Sequence, residues 1–241
     1  MAVDQITNYI EGTDGSAPLI QMTSAIQAAN DAVWQAAQAS ADLHGMASTA
    51  ACAWIIGQRL FVAYVGDSRI YLIKKGFIRQ ISVDHTWLQE ALEAGLITHE
   101  EAKGHPNAHV IKRFVGSETA PEVDSRLNFG DVPQQNHQGM QLDGEDILFM
   151  CSDGISDLIR ETEISTLLKS SDLNAALEAL KQVAYQRGAT DNLSMIAVKI
   201  PAGGLPVTRK TKFLRLLVFA CVLLFASLVG IYYGWLALGN P

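Results

Sequence analysis

The stretch "DILFMCSDGISDLI", Asp146 to Ile159, sets an apolar run of strand length, Ile147–Cys151, directly against Ser152-Asp153-Gly154, with a second carboxylate at Asp157. A short run that is apolar on both faces reads as a strand buried inside a sheet. Asp153 follows that strand at once, so rigid backbone holds its carboxylate at the edge of the core. Asp157, four residues on, points the same way if the chain turns helically there.

Two further acids flank other apolar runs. Gly66-Asp67-Ser68 ends "RLFVAYV", and Thr190-Asp191-Asn192 opens "DNLSMIAVKI". Four carboxylates at the ends of interior strands would repel one another and lose hydration unless cations held them. Ligation by oxygen alone suits Mg²⁺ or Mn²⁺ rather than Zn²⁺. Spacing alone favours a plainer reading, with Asp153 as a helix N-cap and Asp67 and Asp191 as turn residues.

The pattern around these acids predicts a layered α+β chain. Apolar residues at helical spacing mark Ser16–Ser40, and "STAACAWII", "RLFVAYVG", "RIYLIKK" and "FIRQIS" form an antiparallel meander broken at Gly57, Gly66 and Gly76. A helix is expected over Thr86–Ala94 with Gly95 at its C-terminus, and Thr98 with Glu101 makes a capping box for a short second helix. "HVIKRFVG" is read as a return to the sheet. Helices over about Glu163–Lys169, with Thr162 as N-cap, and Leu173–Gln186, with Ser171 or Asp172, precede the last strand, expected in the sheet interior.

Composition narrows the function. The 241 residues carry a net charge of −7, but Arg209, Lys210, Lys212 and Arg215 are the only charges after Lys199. Without those four the chain has 14 basic against 25 acidic residues, or −11, the wrong sign for a nucleic-acid binder. Leu216–Leu238 is 23 residues without a charge, about 34 Å as a helix and long enough for a hydrocarbon core of about 30 Å. The basic cluster before it and Tyr232, Tyr233 and Trp235 near its end fit a single membrane span with the preceding domain in the cytoplasm. Cys52, Cys151 and Cys221 lie far apart in apolar settings and read as buried reduced thiols.

"GMASTA" (Gly45–Ala50), "VGDSRIYLI" (Val65–Ile73), "DHT" (Asp84–Thr86), "LDGEDILFMCSDGISDLI" (Leu142–Ile159) and "GATDNLSMIAV" (Gly188–Val198) resemble, in order and context, the motifs of the metal-dependent protein phosphatases (type 2C, PPM) in their bacterial form. The resemblance covers about residues 1–200. It implies two antiparallel β-sheets packed face to face with flanking helices. It also implies hydrolysis of phosphoserine and phosphothreonine by water activated at a Mn²⁺ or Mg²⁺ pair, often with a third ion, and no covalent nucleophile. Carried over by motif, Asp153 and Asp191 resemble ligands of the catalytic pair, and Asp67 with Asp153 and Asp157 resembles the third site. Thr86–Val115 resembles the family's flap, a mobile element that influences substrate choice. Cys151 and Ser152 are read as core and turn residues, and His85, His99, His105 and His109 as structural or solvated.

The family also opens with strands and an Asp-Gly-Met-Gly-Gly-His motif, whose Asp bridges the metal pair. The 241 residues contain no such motif. "AVDQITNYI" resembles the helix that follows it, so an in-frame extension upstream of Met1 is expected, and this form alone should be nearly inactive. Ala47 and Ser48, where the family has Gly and Thr, and Ala108-His109, where Arg-Asn is common, are smaller departures. The expected organisation is an N-terminally incomplete phosphatase domain over 1–200, a Pro/Gly and basic linker over 201–212 and a transmembrane helix over 213–238. The function expected is a membrane-anchored protein serine/threonine phosphatase acting on substrates of a bacterial kinase. The alternatives are a non-catalytic docking module on the same fold and a haloacid-dehalogenase-like phosphotransferase. The last needs a parallel sheet and a nucleophilic Asp where this chain has Cys151.

Overall fold

The computed structural model of the chain describes residues 1–129, 137–170, 172–189, 192–205, 216–220 and 223–224. Its centre is two four-stranded sheets in which every pairing is antiparallel. The first has the order β6 (Met140–Gln141), β3 (Arg59–Val65), β2 (Ala50–Ile56), β9 (Leu216–Ala220). The second runs β5 (Phe77–Gln80), β4 (Arg69–Lys74), β7 (Ile147–Cys151), β8 (Met195–Lys199). The β2–β3 and β4–β5 pairs are antiparallel because short turns at Gly57 and Gly76 leave no room for a crossover.

The period-2 alternation of strands assigns each side chain to one of two cores. Ala51, Ala53 and Ile55 of β2, Val62 and Tyr64 of β3, Ile70 and Leu72 of β4, and Leu148 and Met150 of β7 meet between the sheets. The alternate residues Cys52 and Trp54 of β2 and Ala63 and Val65 of β3 face α1 (Ala2–Glu11) and α2 (Pro18–Ala39). Tyr71, Ile73, Phe149 and Cys151 face α5 (Glu161–Ser170) and α6 (Leu173–Gln186) on the far side. β2, β3, β4 and β7 are therefore apolar along most of their length because both of their faces are covered. The result is a four-layer helix–sheet–sheet–helix sandwich, as the resemblance implied.

Local chemistry explains the elements. Pro18 opens α2 with its φ already suited to a helix. Asp172 caps α6 by accepting from the Asn174 and Ala175 amides. Thr86 does the same for α3 (Trp87–Glu93), where its Oγ1 accepts from Gln89 N at 3.2 Å, and Gly95 follows at φ +66°.

Several expectations are corrected. Thr98 and Glu101 do form a reciprocal capping box, at 2.8 and 3.3 Å, but it closes a run of turns and no helix follows. "HVIKRFVG" contributes only the isolated bridges Ile111–Thr86 and Val115–Ser48; Val115 is buried in the core, but Val110 and Phe114 are exposed. α5 begins at Glu161, ahead of the cap expected at Thr162. β8 lies at a sheet edge and is half-buried, since among the described residues no further strand pairs beyond it. In the stretch expected to be a transmembrane helix over 213–238, Leu216–Ala220 is strand β9, paired with β2 from Ala51↔Ala220 to Ile55↔Leu216, and Leu223–Leu224 is β10, paired with β1 (Ala47–Ser48). An open edge of β2 offers unpaired backbone groups that an apolar run can satisfy. The rest of that stretch lies outside the described residues, among which no helix is long and apolar enough to cross a membrane.

Candidate metal centre

The turn after β3 fixes Asp67. Gly66 has φ +104°, and a Cβ there would stand 2.3 Å from Thr49 Cγ2, so only glycine lets the turn close on the Gly45–Ala50 segment. Thr49 Oγ1 and Ser68 Oγ are hydrogen-bonded at 2.8 Å across that contact. The Gly66 amide donates to His85 Nδ1 at 3.1 Å, and the His85 amide donates to the Gly66 carbonyl at 3.0 Å. With Nδ1 accepting, the ring proton sits on Nε2, which faces Asp124 Oδ2 at 3.4 Å. Asp124 also takes the Arg126 guanidinium at 2.7 and 2.8 Å. Burial pushes the Asp124 carboxyl up, but bonds from His85 and Arg126 more than offset this and hold it well below the usual range.

The end of β7 fixes the other two acids. The Ser152 amide donates to the Ser194 carbonyl at 3.0 Å, and Ser194 N donates to Ser152 Oγ at 3.2 Å, which ties this turn to the start of β8. Ser152 is the cap of the short helix α4 (Asp153–Ser156), and Asp153 is its first residue rather than its N-cap. The Asp153 carboxylate accepts from the Gly154 amide at 2.8 Å. The Asp157 amide donates to the Asp153 carbonyl at 2.8 Å, so the chain makes the helical turn that brings both acids to one side. Asp191 lies outside the described residues. Its neighbour Asn192 packs on the same turn, where a Cβ on Gly154 would meet the Asn192 carbonyl at 2.9 Å.

Asp67, Asp153 and Asp157 line one cavity of about 160 Å³ with Arg69, Asp84, Ser156 and His109. Arg69 is committed elsewhere: its Nε and Nη2 reach Asp84 Oδ2 at 2.9 and 2.7 Å. Burial, then the charges of Asp153, Asp84 and Asp157, push the Asp67 carboxyl up to about 7. The cavity is thus short of positive charge. Ser156 Oγ, buried at its wall, has no hydrogen-bond partner among the described residues. Among the described residues, no three His, Cys, Asp or Glu side chains are arranged so that they could hold an ion as they stand. Donor type and charge nevertheless fit a hard divalent cation, which would draw the carboxylates inward.

Other candidates resolve plainly. Cys151 is fully buried under α5 and α6, and burial pushes its thiol up, so it is a core residue and no nucleophile. Ser152 is equally buried and committed to Ser194. Antiparallel pairing throughout removes the haloacid-dehalogenase-like reading. His85 is structural, as expected, and His105 stacks on Trp87 with ring centroids 4.6 Å apart. His109 was not picked out from the sequence as a site residue, yet its Nδ1 lies 3.2 Å from Asp157 Oδ2. The departure at Ala108-His109 is the one signal the sequence offered.

The family model described as "Protein phosphatase 2C" matches residues 6–92. The serine/threonine phosphatase Stp of Listeria welshimeri is 33% identical over 175 residues, 72% of this chain and 65% of that protein. The protein phosphatase PstP of Mycobacterium tuberculosis is 29% identical over 200 residues, 83% of this chain and 36% of that protein. Among solved structures, the Streptococcus agalactiae serine/threonine phosphatase superposes with a TM-score of 0.70 at 27% identity, covering 82% of this chain and 77% of that one. The PstP catalytic domain solved with two manganese ions gives a TM-score of 0.65 at 27% identity, over 82% and 78%. Residues 6–92 thus match the protein phosphatase 2C model, and about three quarters of the chain is similar to bacterial serine/threonine phosphatases of that type. The chain spans just under two thirds of the length of the Listeria relatives it matches.

Proposed function

We propose that the chain carries the phosphatase domain of a metal-dependent enzyme that hydrolyses phosphoserine and phosphothreonine in proteins, its substrates being those of a bacterial serine/threonine kinase. The observation that carries this reading is the delivery of Asp67, Asp153 and Asp157 to one cavity by the ends of two strands in opposite sheets. Asp153 and Asp191 would hold the catalytic Mn²⁺ or Mg²⁺, and Asp67, Asp153 and Asp157 a further ion. When bound, such ions acidify water and neutralise phosphoryl oxygens. The chain's own part is to hold the acids in place through the Gly66 and Gly154 turns and to keep Arg69 away from them on Asp84. A bridging carboxylate would come from an Asp-Gly-Met-Gly-Gly-His segment, supplied by an in-frame extension.

The second reading, a non-catalytic docking module, draws on the arrangement of the acids, which is not closed around a point among the described residues. Phosphopeptide hydrolysis with Mn²⁺ separates the two, measured for this chain, for an upstream-extended form and for Asp153→Asn in each. Turnover that rises on extension and vanishes with Asp153→Asn supports the enzyme. Absent turnover in the extended form with Mn²⁺ supports the module. The uncharged stretch Leu216–Leu238 and the four basic residues before it support a single membrane span with the domain in the cytoplasm, in which state Leu216–Ala220 and Leu223–Leu224 exchange their pairings with β2 and β1 for the bilayer. Recovery of the full chain in the soluble fraction without detergent would overturn that placement.

A further inference from the structure

The two ends of the second sheet differ in chemistry. β4 starts at Arg69, which lines the acidic cavity, and ends at Lys74, about 17 Å away at about 3.3 Å per residue. Its hairpin with β5 turns at Lys75 and Gly76, whose φ values are +48° and +85°. The pairings Ile73↔Ile147 and Ile147↔Lys199 put the end of β8 beside that hairpin. From there the chain leaves the sheet toward the basic cluster over 209–215 and the uncharged stretch 216–238. The hairpin tip and the exit of the chain thus share one end of the sheet, and the cavity lies at the other.

The hairpin end exposes an aromatic ring among cations. Phe77 is 80% exposed, and Lys75, Arg79 and Lys169 are exposed beside it. The Lys169 ammonium donates to the Gly76 carbonyl, which ties the last turn of α5 to the hairpin. Lys74 is paired with Asp143 and Asp146, and Lys199 with Glu145, whereas Lys75, Arg79 and Lys169 form no salt bridge among the described residues. One exposed Phe is unremarkable by itself. Here it stands with three cations outside any salt bridge, on a chain whose net charge before Arg209 is −11. The patch therefore opposes the sign of its surroundings and complements an anionic surface.

We propose that the β4–β5 hairpin, together with Lys169, is a second membrane contact. Phe77 enters the interface of an anionic bilayer, Lys75, Arg79 and Lys169 meet its headgroups, and the cavity end points away into the cytoplasm. This rests on the membrane span proposed above. One ring and three cations would hold an untethered protein only weakly, as single anchors do. The span changes that, because the 15 residues over 201–215 reach at most about 50 Å and keep the patch at high effective concentration near the headgroups. A linker of that length sets a distance but no orientation; the hairpin fixes which end faces the bilayer.

The test is lysine acetylation, read residue by residue by mass spectrometry, of the full chain in lipid nanodiscs of phosphatidylcholine alone or in equal parts with phosphatidylglycerol. Lys75 and Lys169 should react about fivefold more slowly on the anionic discs, the effect of roughly one basic residue at an anionic surface. The difference should shrink at high salt, while Lys103, exposed in the segment that reaches the cavity, reacts alike on both. Phe77→Ser and Lys75→Asn should each remove most of the protection of Lys169. Both should keep the parent melting curve in detergent, since both side chains are exposed and Asn accepts a left-handed φ. Equal rates on the two discs in chain that stays disc-bound, or protection of Lys169 that survives both variants, overturn the contact and leave the span standing. Slowing by polyglutamate but not by anionic lipid makes the patch a protein-docking surface and likewise overturns the contact. Chain that does not stay with the discs overturns both.

Discussion

Replacing Asp67 by Asn should stabilise the metal-free chain while weakening its response to Mn²⁺. The Asp67 carboxyl is 7% exposed and is raised from its ordinary 3.8 to about 7, first by burial and then by the charge of Asp153. At about 1.4 kcal/mol per tenfold, the ionised acid costs the folded chain on the order of 4 kcal/mol at pH 8. The folded state holds its proton to higher pH than the unfolded state, so stability falls as pH rises from about 4 to about 7 and levels off beyond. Asn removes the charge but leaves a polar group to desolvate, so about half of that cost, roughly 2 kcal/mol, should be recovered. For a domain of this size that is a rise of about 4–8 °C in Tm. The assay is scanning fluorimetry in EDTA at pH 8 and pH 5, then with Mn²⁺. The variant should melt higher at pH 8, match the parent at pH 5, and gain less from Mn²⁺. A variant that melts lower in EDTA at pH 8 by the same margin as at pH 5 would falsify the account of Asp67 as an acid in want of a cation.

Asp153→Asn in a form with measurable Mn²⁺-dependent turnover should lower it at least about 100-fold, because a direct ligand should matter at least as much as its supporting shell; phosphopeptide kinetics decide it. Gly66→Ala should cost at least about 3 kcal/mol, since φ is +104° and the new methyl would meet Thr49 Cγ2 at 2.3 Å. A urea midpoint within error of the parent would contradict that. Asp124→Ala should cost roughly 3–5 kcal/mol by stranding Arg126 and His85. Because the folded Asp124 is held below its ordinary range, its contribution is present above about pH 4 and fades as pH falls further. Chemical denaturation of parent and variant at pH 7 and pH 3 should therefore show the gap closing at the lower pH.

The sequence by itself determined most of the strands, the main helices and the hairpins at Gly57 and Gly76, whereas the break at Gly66, expected as one more turn of a single meander, carries the chain from one sheet to the other. Strands and helices depend on neighbours in the chain: apolar runs broken at Gly57, Gly66 and Gly76, Thr86 and Asp172 as caps, and a full helical period over Ser16–Ser40. Asp67, Asp153 and Asp157 were also legible as a possible cluster, because Asp67 and Asp153 end apolar runs and Asp157 lies one helical turn beyond Asp153. Only the tertiary structure decided that they share a cavity, since that depends on β4 and β7 lying side by side in one sheet and facing β2 and β3 across the core. It also decided that β8 is an edge strand, which no local pattern encodes, and that Leu216–Ala220 pairs with β2. His109 shows the limit most clearly. Nothing within several residues of it suggests a contact with an acid, and it meets Asp157 only because Val110 and Lys112 are pinned to the start of α3 across a long sequence separation.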